Sequence, residues 1–150
     1  MRKLEQVRSE LTQLFDSQPL AVLATEGGGV PHASLVAFAS AEDLRCIYFA
    51  TTRATRKYAN LSANSNVSML VDNRTNSVDD FRRAAAVTAT GRAEELDRDQ
   101  EPGAIDKYLS KHPHLDEFIT SPNCAFLSLR VDVYYLVTRF QEVLEIRVER

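Results

Sequence analysis

Two threonines and a basic turn stand where an apolar segment gives way to an amphipathic one. Residues 47–50, I-Y-F-A, are rich in β-branched and aromatic side chains and predict a strand. From Ala54 the apolar residues continue at Tyr58 and Leu61, which is the spacing of one helix face. The predicted strand therefore ends, and the predicted helix begins, within residues 51–57.

A junction of this composition has the chemistry of an anion site. The first turn of a helix leaves backbone N–H groups without intrahelical partners, and its dipole is positive there. Thr52 is the predicted N-cap residue. The hydroxyl and cationic side chains that would add donors and charge are Thr51, Thr52, Thr55, Arg56 and Lys57. We predict a phosphate cradle; the simpler alternative is an ordinary capped helix with a solvated Arg-Lys pair.

Other reactive side chains follow weaker patterns. His112 and His114 have no third ligand nearby in sequence, so we interpret them as exposed histidines at a helix break rather than as metal ligands. Cys46 and Cys124 form no CxxC pair, and we expect reduced, half-buried thiols. The three glycines at 27–29 lack both GxGxxG order and a P-loop lysine, which predicts a turn.

No arrangement of side chains in the sequence supports catalysis without a cofactor. There is no Ser-His-Asp order or nucleophile elbow, and no convincing pair of acid–base carboxylates. Any redox chemistry must therefore come from a cofactor.

Composition restricts the class of protein. A chain of 150 residues, 44% hydrophobic and 26% charged, predicts one soluble globular domain. A net charge of −3 argues against a general nucleic-acid or anionic-membrane surface. The N-terminus has no signal-peptide core, and no apolar run approaches the ~20 residues of a membrane span. We therefore expect a cytoplasmic protein without nucleic-acid or membrane partners.

The junction lies within a succession of short strands. We predict helices over residues 1–17 and 54–64, a helical region over 97–122 that His112-Pro113 interrupts, and a polar loop over 73–83. The predicted strands are 20–25, 30–39, 45–51, 67–72, 85–96, 124–137 and 140–148, with Gly91 a candidate bulge. Adjacent, alternating strands favour a mainly β fold, an antiparallel barrel of six or seven strands with N-terminal and inserted helices.

The order of these segments resembles a known family. A hairpin ending G-V-P-H-A-S-L-V-A-F is followed by I-Y-F-A-T-T, T-R-K-Y-A-N-L, N-V-S-M-L-V and A-V-T-A-T-G-R-A. This order is similar to that of the pyridoxamine 5′-phosphate oxidase-like, FMN-binding split β-barrel family. The resemblance is good over roughly residues 20–96, and beyond them it rests on a helical insert and final strands.

The resemblance implies FMN bound at the interface of a homodimer. Thr51, Thr52, Thr55, Arg56 and Lys57 would hold its 5′-phosphate. On the preceding strand, Ser34, Leu35 and Val36 would line the isoalloxazine ring, largely through backbone groups.

The chain departs from the vitamin B6 oxidases at the substrate site. Ser34 replaces a basic residue of those enzymes, and the sequence has neither a Trp nor a C-terminal Arg-x-His motif. We therefore expect an FMN-dependent oxidoreductase that passes electrons between a reduced donor and an unidentified small-molecule acceptor, without oxidation of pyridoxamine phosphate. The alternatives are a flavin-binding or redox-sensing module without turnover, a protein that binds another flavin-like cofactor, and a haem protein with His32, His112 and His114 as candidate ligands.

Overall fold

Seven antiparallel strands and five helices form the part of the chain that the computed structural model describes, residues 3–149. The strands are β1 (Leu20–Gly27), β2 (Val30–Ser40), β3 (Cys46–Thr52), β4 (Asn66–Asp72), β5 (Ala85–Glu95), β6 (Cys124–Thr138) and β7 (Glu142–Arg147). The helices are α1 (Leu4–Ser17), α2 (Arg56–Ala63), α3 (Asp80–Arg83), α4 (Pro102–Lys111) and α5 (Asp116–Thr120), with a 3-10 turn at Pro113–Leu115. None of these helices is long and apolar enough to cross a membrane.

Six of the strands close into a barrel. The hydrogen-bonded order is β3-β2-β1-β4-β5-β6, and pairing of β6 with β3 completes the ring. The 15-residue β6 pairs with β3 through its first half and with β7 through its second half. The predicted antiparallel split barrel with N-terminal and inserted helices is confirmed.

Alternating side chains fill the barrel. Val67, Met69 and Val71 of β4 all point into the core, as their spacing predicts. Helix α1 contributes Phe15, which is fully buried against Phe38 and Tyr134. The predicted N-terminal helix is present from Leu4 onward, although Leu4 itself is exposed; residues 1 and 2 lie outside the described chain.

Three glycines have the conformational roles that their positions indicate. Gly28 and Gly29 take positive φ angles of 58° and 85° in the turn between β1 and β2, which L-residues rarely adopt. At Gly91 the register between β5 and β6 shifts, and a Cβ there would overlap the carbonyl oxygen of Arg130. The predicted bulge at Gly91 is therefore present.

Several predicted boundaries are wrong. The helix after β3 begins at Arg56 rather than Ala54, because residues 53–54 form a turn. The turn between β6 and β7 occupies residues 139–141, so the last strand begins at Glu142 rather than at residue 140. The predicted loop over residues 73–83 ends in α3, whose Phe81 packs edge-on against Phe140 with ring centroids 4.9 Å apart.

The prediction that His112 is exposed is also wrong. Its side chain is 2% exposed, and Nε2 lies 2.7 Å from the Phe38 carbonyl oxygen. Tyr108 donates from its hydroxyl to the Ala37 carbonyl, and Lys111 donates to the Phe15 carbonyl while its ammonium sits 3.7 Å from the Phe38 ring centre. Tyr108 and His112 thus join α4 and the residue after it to backbone carbonyls of β2, and Lys111 joins α4 to α1.

Candidate functional site

The junction of β3 and α2 brings the predicted anion-binding residues together. Thr51 and Thr52 are the last two residues of β3, Thr55 precedes α2, and Arg56 and Lys57 are its first two residues. β3 is held on one side by β6, with Thr51 opposite Ala125 and Thr52 opposite Cys124 in register. The cradle therefore begins at the end of a strand that is paired with β6 up to its last residue.

Thr55 is the N-cap of α2, which corrects the assignment of the cap to Thr52. Its hydroxyl oxygen accepts the Tyr58 N–H at 3.2 Å, and its hydroxyl lies 3.0 Å from the Thr52 carbonyl, to which it donates. The Thr51 hydroxyl lies 2.9 Å from that of Thr55. These contacts show that Thr51 and Thr55 shape the turn, while the backbone of Thr52 supplies an acceptor within it.

The two cations that follow Thr55 have no carboxylate partner within residues 3–149. The Arg56 side chain is exposed, whereas Lys57 is half-buried, and burial lowers the pKa of the Lys57 ammonium. The N–H groups of Arg56 and Lys57 likewise have no acceptor among these residues. The junction therefore presents two positive side chains and two N–H groups without acceptors in the described chain. Because Lys57 is also partly withdrawn from water, an anion is the natural partner.

A third cation of the junction is already paired. Arg53 forms a two-pronged ion pair with Glu95 at the end of β5, with nitrogen–oxygen distances of 2.7 and 2.8 Å. Its guanidinium also donates to the Tyr58 hydroxyl at 2.8 Å. Sequence reasoning missed Glu95 and Tyr58, because 42 residues separate Arg53 from Glu95 and no local pattern links them.

β2 and β3 are unpaired over the part of β3 that leads into the cradle, and this unpaired stretch is called the opening. The two strands pair only where Phe38–Ser40 face residues 47–49. Continuing this antiparallel register would set Val36 level with Thr51 and Leu35 level with Thr52, but the described chain has no pairing there. Over this stretch β2 pairs with β1 alone, so its other edge faces the opening.

Ser34, Leu35 and Val36, the residues of β2 predicted to line the ring, differ in their burial. Val36 is buried in the core and Leu35 is 63% exposed on the outside. The Ser34 hydroxyl is buried without a hydrogen-bond partner in the described chain. A buried hydroxyl without a partner is costly, so a ligand or water that bonds to it would relieve that cost.

The outer face of the sheet next to the opening is apolar and open. Leu35 lies opposite Val22, which lies opposite Leu70 on the next strand, so these side chains share one face. Leu20 continues this face and is 49% exposed. A face of this composition on an antiparallel sheet indicates a covering partner.

The histidine rings of positions 112 and 114 lie edge-on with centroids 6.0 Å apart, and His32 is on a different element. His32 is half-buried on β2, His112 is bonded to the Phe38 carbonyl, and His114 is exposed in the 3-10 turn. Within residues 3–149 no group of three or more His, Cys, Asp or Glu side chains could hold a metal ion. The Cys124 thiol is buried and Cys46 is half-buried, and neither forms a disulfide.

Comparison with known proteins agrees with this architecture. The sequence profile of pyridoxamine 5′-phosphate oxidase matches residues 7–137. No sequence among the curated proteins matches the chain. A heme-binding protein of Mycobacterium smegmatis superimposes with a TM-score of 0.84 at 20% identity over 98% of this chain, which spans 59% of that protein's length.

Two further solved structures match over most of both chains. A Clostridium acetobutylicum protein related to general stress protein 26, of the pyridoxinephosphate oxidase family, gives a TM-score of 0.73 at 17% identity over 96% of each chain. A FAD-binding protein of Mesorhizobium loti gives 0.66 at 19% identity over 85% of this chain and 91% of its own. At such identities these structures establish the fold alone. The profile match over most of the length shows that the chain belongs to the pyridoxamine 5′-phosphate oxidase-like family.

Proposed function

We propose that the protein binds FMN, with the phosphate at the start of α2 and the isoalloxazine ring in the opening between β2 and β3. The observation that carries this proposal is the pair Arg56 and Lys57, which has no carboxylate partner among residues 3–149 and follows the end of β3 that β2 leaves unpaired. A flavin mononucleotide has the two parts that such a site needs, a compact dianion and a planar ring with a hydrogen-bonding edge.

The charges of the cradle suit a terminal phosphate. A phosphate monoester carries close to two negative charges at neutral pH, and Arg56 and Lys57 supply two positive ones. The free N–H groups at the start of α2 add donors, and the helix dipole acts in the same direction. Because Lys57 is partly withdrawn from water, its contact with a phosphate is screened less than that of an exposed lysine.

The edge of β2 suits the ring. Alternate residues among Ser34, Leu35 and Val36 direct backbone groups toward the opening, because the others bond to β1. The buried Ser34 hydroxyl has no hydrogen-bond partner in the described chain, and a ligand atom that bonds to it would satisfy it. Leu35, which is 63% exposed, would bring apolar surface to the ring. FMN is favoured over FAD because the chain offers one compact anion site and no dinucleotide fingerprint.

A homodimer completes this proposal. The open apolar face that Leu20, Val22, Leu35 and Leu70 share adjoins the opening, so a second copy packed on it would cover both the face and the flavin ring. An isologous dimer buries the same face of both protomers.

The chemistry then comes from the bound flavin, which would transfer electrons between a reduced donor, such as a nicotinamide, and a small-molecule acceptor. The protein's residues bind the phosphate, orient the ring and, in the dimer, exclude water. We expect no oxidation of pyridoxamine phosphate, because the chain has no Trp and no C-terminal Arg-x-His motif. A redox-sensing module without turnover is the alternative.

The absorption spectrum of the purified protein, before and after reconstitution with FMN, tests the cofactor assignment. Flavin bands, with FMN identified by mass spectrometry after heat release, are the expected result. A Soret band would instead indicate haem, and release of FAD or failure to retain FMN would contradict the proposal. Many cycles of flavin reduction by a nicotinamide and reoxidation by an added acceptor would distinguish an enzyme from a sensor.

A further inference from the structure

Three side chains from three elements meet beside the phosphate cradle. Arg53 lies in the turn that follows β3, Tyr58 is in the first turn of α2, and Glu95 is the last residue of β5. The Tyr58 hydroxyl donates to Glu95 Oε1 at 2.7 Å, and Arg53 donates to both of these groups at 2.8 Å. A second Arg53 nitrogen lies 2.7 Å from Glu95 Oε2. Each member of this group therefore contacts the other two.

The backbone of Arg53 is anchored as well. Its N–H donates to the Asn123 carbonyl at 2.9 Å, just before β6 begins. Arg53 thus joins the β3–α2 turn to the end of β5 and to the start of β6. The residues that follow it in this turn lead directly to Arg56 and Lys57.

We propose that Glu95 and Tyr58 hold Arg53 as a strut that positions Arg56 and Lys57 for a phosphate. Arg53 is then a positioning residue and not a third phosphate ligand. This inference rests on the proposed binding of FMN.

The charges of the group support a strut. A two-pronged contact fixes the plane of a guanidinium and satisfies a carboxylate on both oxygens. Arg53 and Tyr58 together hold the pKa of the Glu95 carboxyl below its usual range, so the pair stays ionised through neutral pH. The charge of Arg53 is thereby compensated, which leaves Arg56 and Lys57 to balance the dianion.

The inference predicts an effect on binding rather than on overall stability. Arg53 and Glu95 are each more than a third exposed, and exposed ion pairs contribute little to folding. A small change in the direction of the α2 start, however, alters every contact to a bound phosphate. Riboflavin, which lacks the phosphate, does not experience that change.

A double-mutant cycle with Arg53→Ala, Glu95→Ala and the double variant tests this inference. FMN and riboflavin dissociation constants are measured by quenching of flavin fluorescence. Each single change should weaken FMN binding by about 3- to 10-fold, and the double change should add little to either, since coupled partners are not additive. Riboflavin affinity should stay within about twofold. Tyr58→Phe should give a smaller loss of the same kind.

The opposite outcomes are distinct. If Arg53 were a phosphate ligand restrained by Glu95, Glu95→Ala would tighten FMN binding while Arg53→Ala weakened it. If FMN affinity is unchanged in every variant, or if FMN and riboflavin lose affinity equally, the strut is wrong. Glu145→Ala, which breaks the comparable Arg147–Glu145 pair on β7, is the matched control and should change neither affinity.

Failure of the inference is separable from failure of the proposed function. If the wild-type protein binds FMN and the Glu95→Ala variant binds it equally well, only the strut is contradicted. If the wild-type protein does not bind FMN, both fail. Glu95→Gln, which keeps the volume and one hydrogen bond, should fall between wild type and Glu95→Ala.

Discussion

The hydroxyl oxygens of Thr51 and Thr55 lie 2.9 Å apart, so the end of β3 is bonded directly to the N-cap of α2. Thr55 also accepts the Tyr58 N–H and donates to the Thr52 carbonyl. One side chain thereby defines both the turn and the beginning of the helix. The direction in which Arg56 and Lys57 leave the barrel depends on it.

Removal of the Thr55 hydroxyl should destabilise the protein and weaken FMN binding. Loss of an N-cap typically costs about 1 kcal/mol, so Thr55→Ala should lower the free energy of unfolding in urea by about that amount. Thr55→Ser, which keeps the oxygen, should lower it less. Thr52→Ala is the control, because Thr52 is not the cap; an equal or larger loss in that variant would contradict the cap assignment.

The bulge at Gly91 should not tolerate a side chain. A methyl group there would overlap the Arg130 carbonyl oxygen, and overpacking of this kind typically costs about 1–3 kcal/mol. Gly91→Ala should therefore unfold at clearly lower urea concentration. Gly103→Ala, in α4 with nothing within 4 Å of the added carbon, should be neutral or stabilising. Equal effects in the two variants would mean that the close approach at Gly91 is not limiting.

Stability should fall in mild acid because of His112. Burial is the main cause that lowers the pKa of this imidazole in the folded protein. Below about pH 6.5, the ordinary pKa of histidine, the unfolded chain therefore takes up a proton that the folded chain resists, so stability decreases as the pH falls. The charges of Lys111 and His114 also lower the pKa of His112.

His112→Gln, which keeps a donor for the Phe38 carbonyl, is the test of this effect. The difference in unfolding free energy between wild type and variant is measured from pH 8 to pH 5. As the pH falls, the variant should become more stable relative to the wild-type protein. A difference that is constant with pH would show that His112 does not titrate with folding.

A charge on the open sheet face should dissociate the proposed dimer. Leu20 lies on this face, 49% exposed, and a lysine there would be buried against the second copy. Leu20→Lys should sediment as a monomer near 16.8 kDa and should bind FMN more weakly, whereas the wild-type protein should sediment as a dimer. Leu4→Lys on α1 is the control at a similarly exposed leucine and should remain dimeric. A monomeric wild-type protein would contradict the interface.

The features that the sequence could predict are those that a local pattern of residues determines. The alternation of Val67, Met69 and Val71 identifies an inward-facing strand, and a lone glycine at position 91 marks a bulge. The cap at Thr55 rather than Thr52 could not be predicted, because two threonines three residues apart both suit a helix start and only the backbone of residues 53–54 decides between them.

Long-range contacts account for the remaining differences. His112 is buried because α4 packs on β2, 74 residues away in sequence. The same holds for the Arg53–Glu95 pair, whose members are 42 residues apart. No local sequence pattern predicts contacts between residues this far apart in the chain.

Titration of wild type, Arg56→Ala and Lys57→Ala with FMN and riboflavin tests the phosphate cradle most directly. Charge-assisted hydrogen bonds contribute about 1.5–3 kcal/mol each, so each variant should bind FMN about 10- to 100-fold more weakly, at 1.4 kcal/mol per tenfold. The loss at half-buried Lys57 should be at least as large as that at exposed Arg56, because water replaces its contact less easily. Riboflavin binding should barely change in either variant. FMN affinities within about twofold of wild type, or equal losses for FMN and riboflavin, would contradict the assignment of the phosphate to the start of α2.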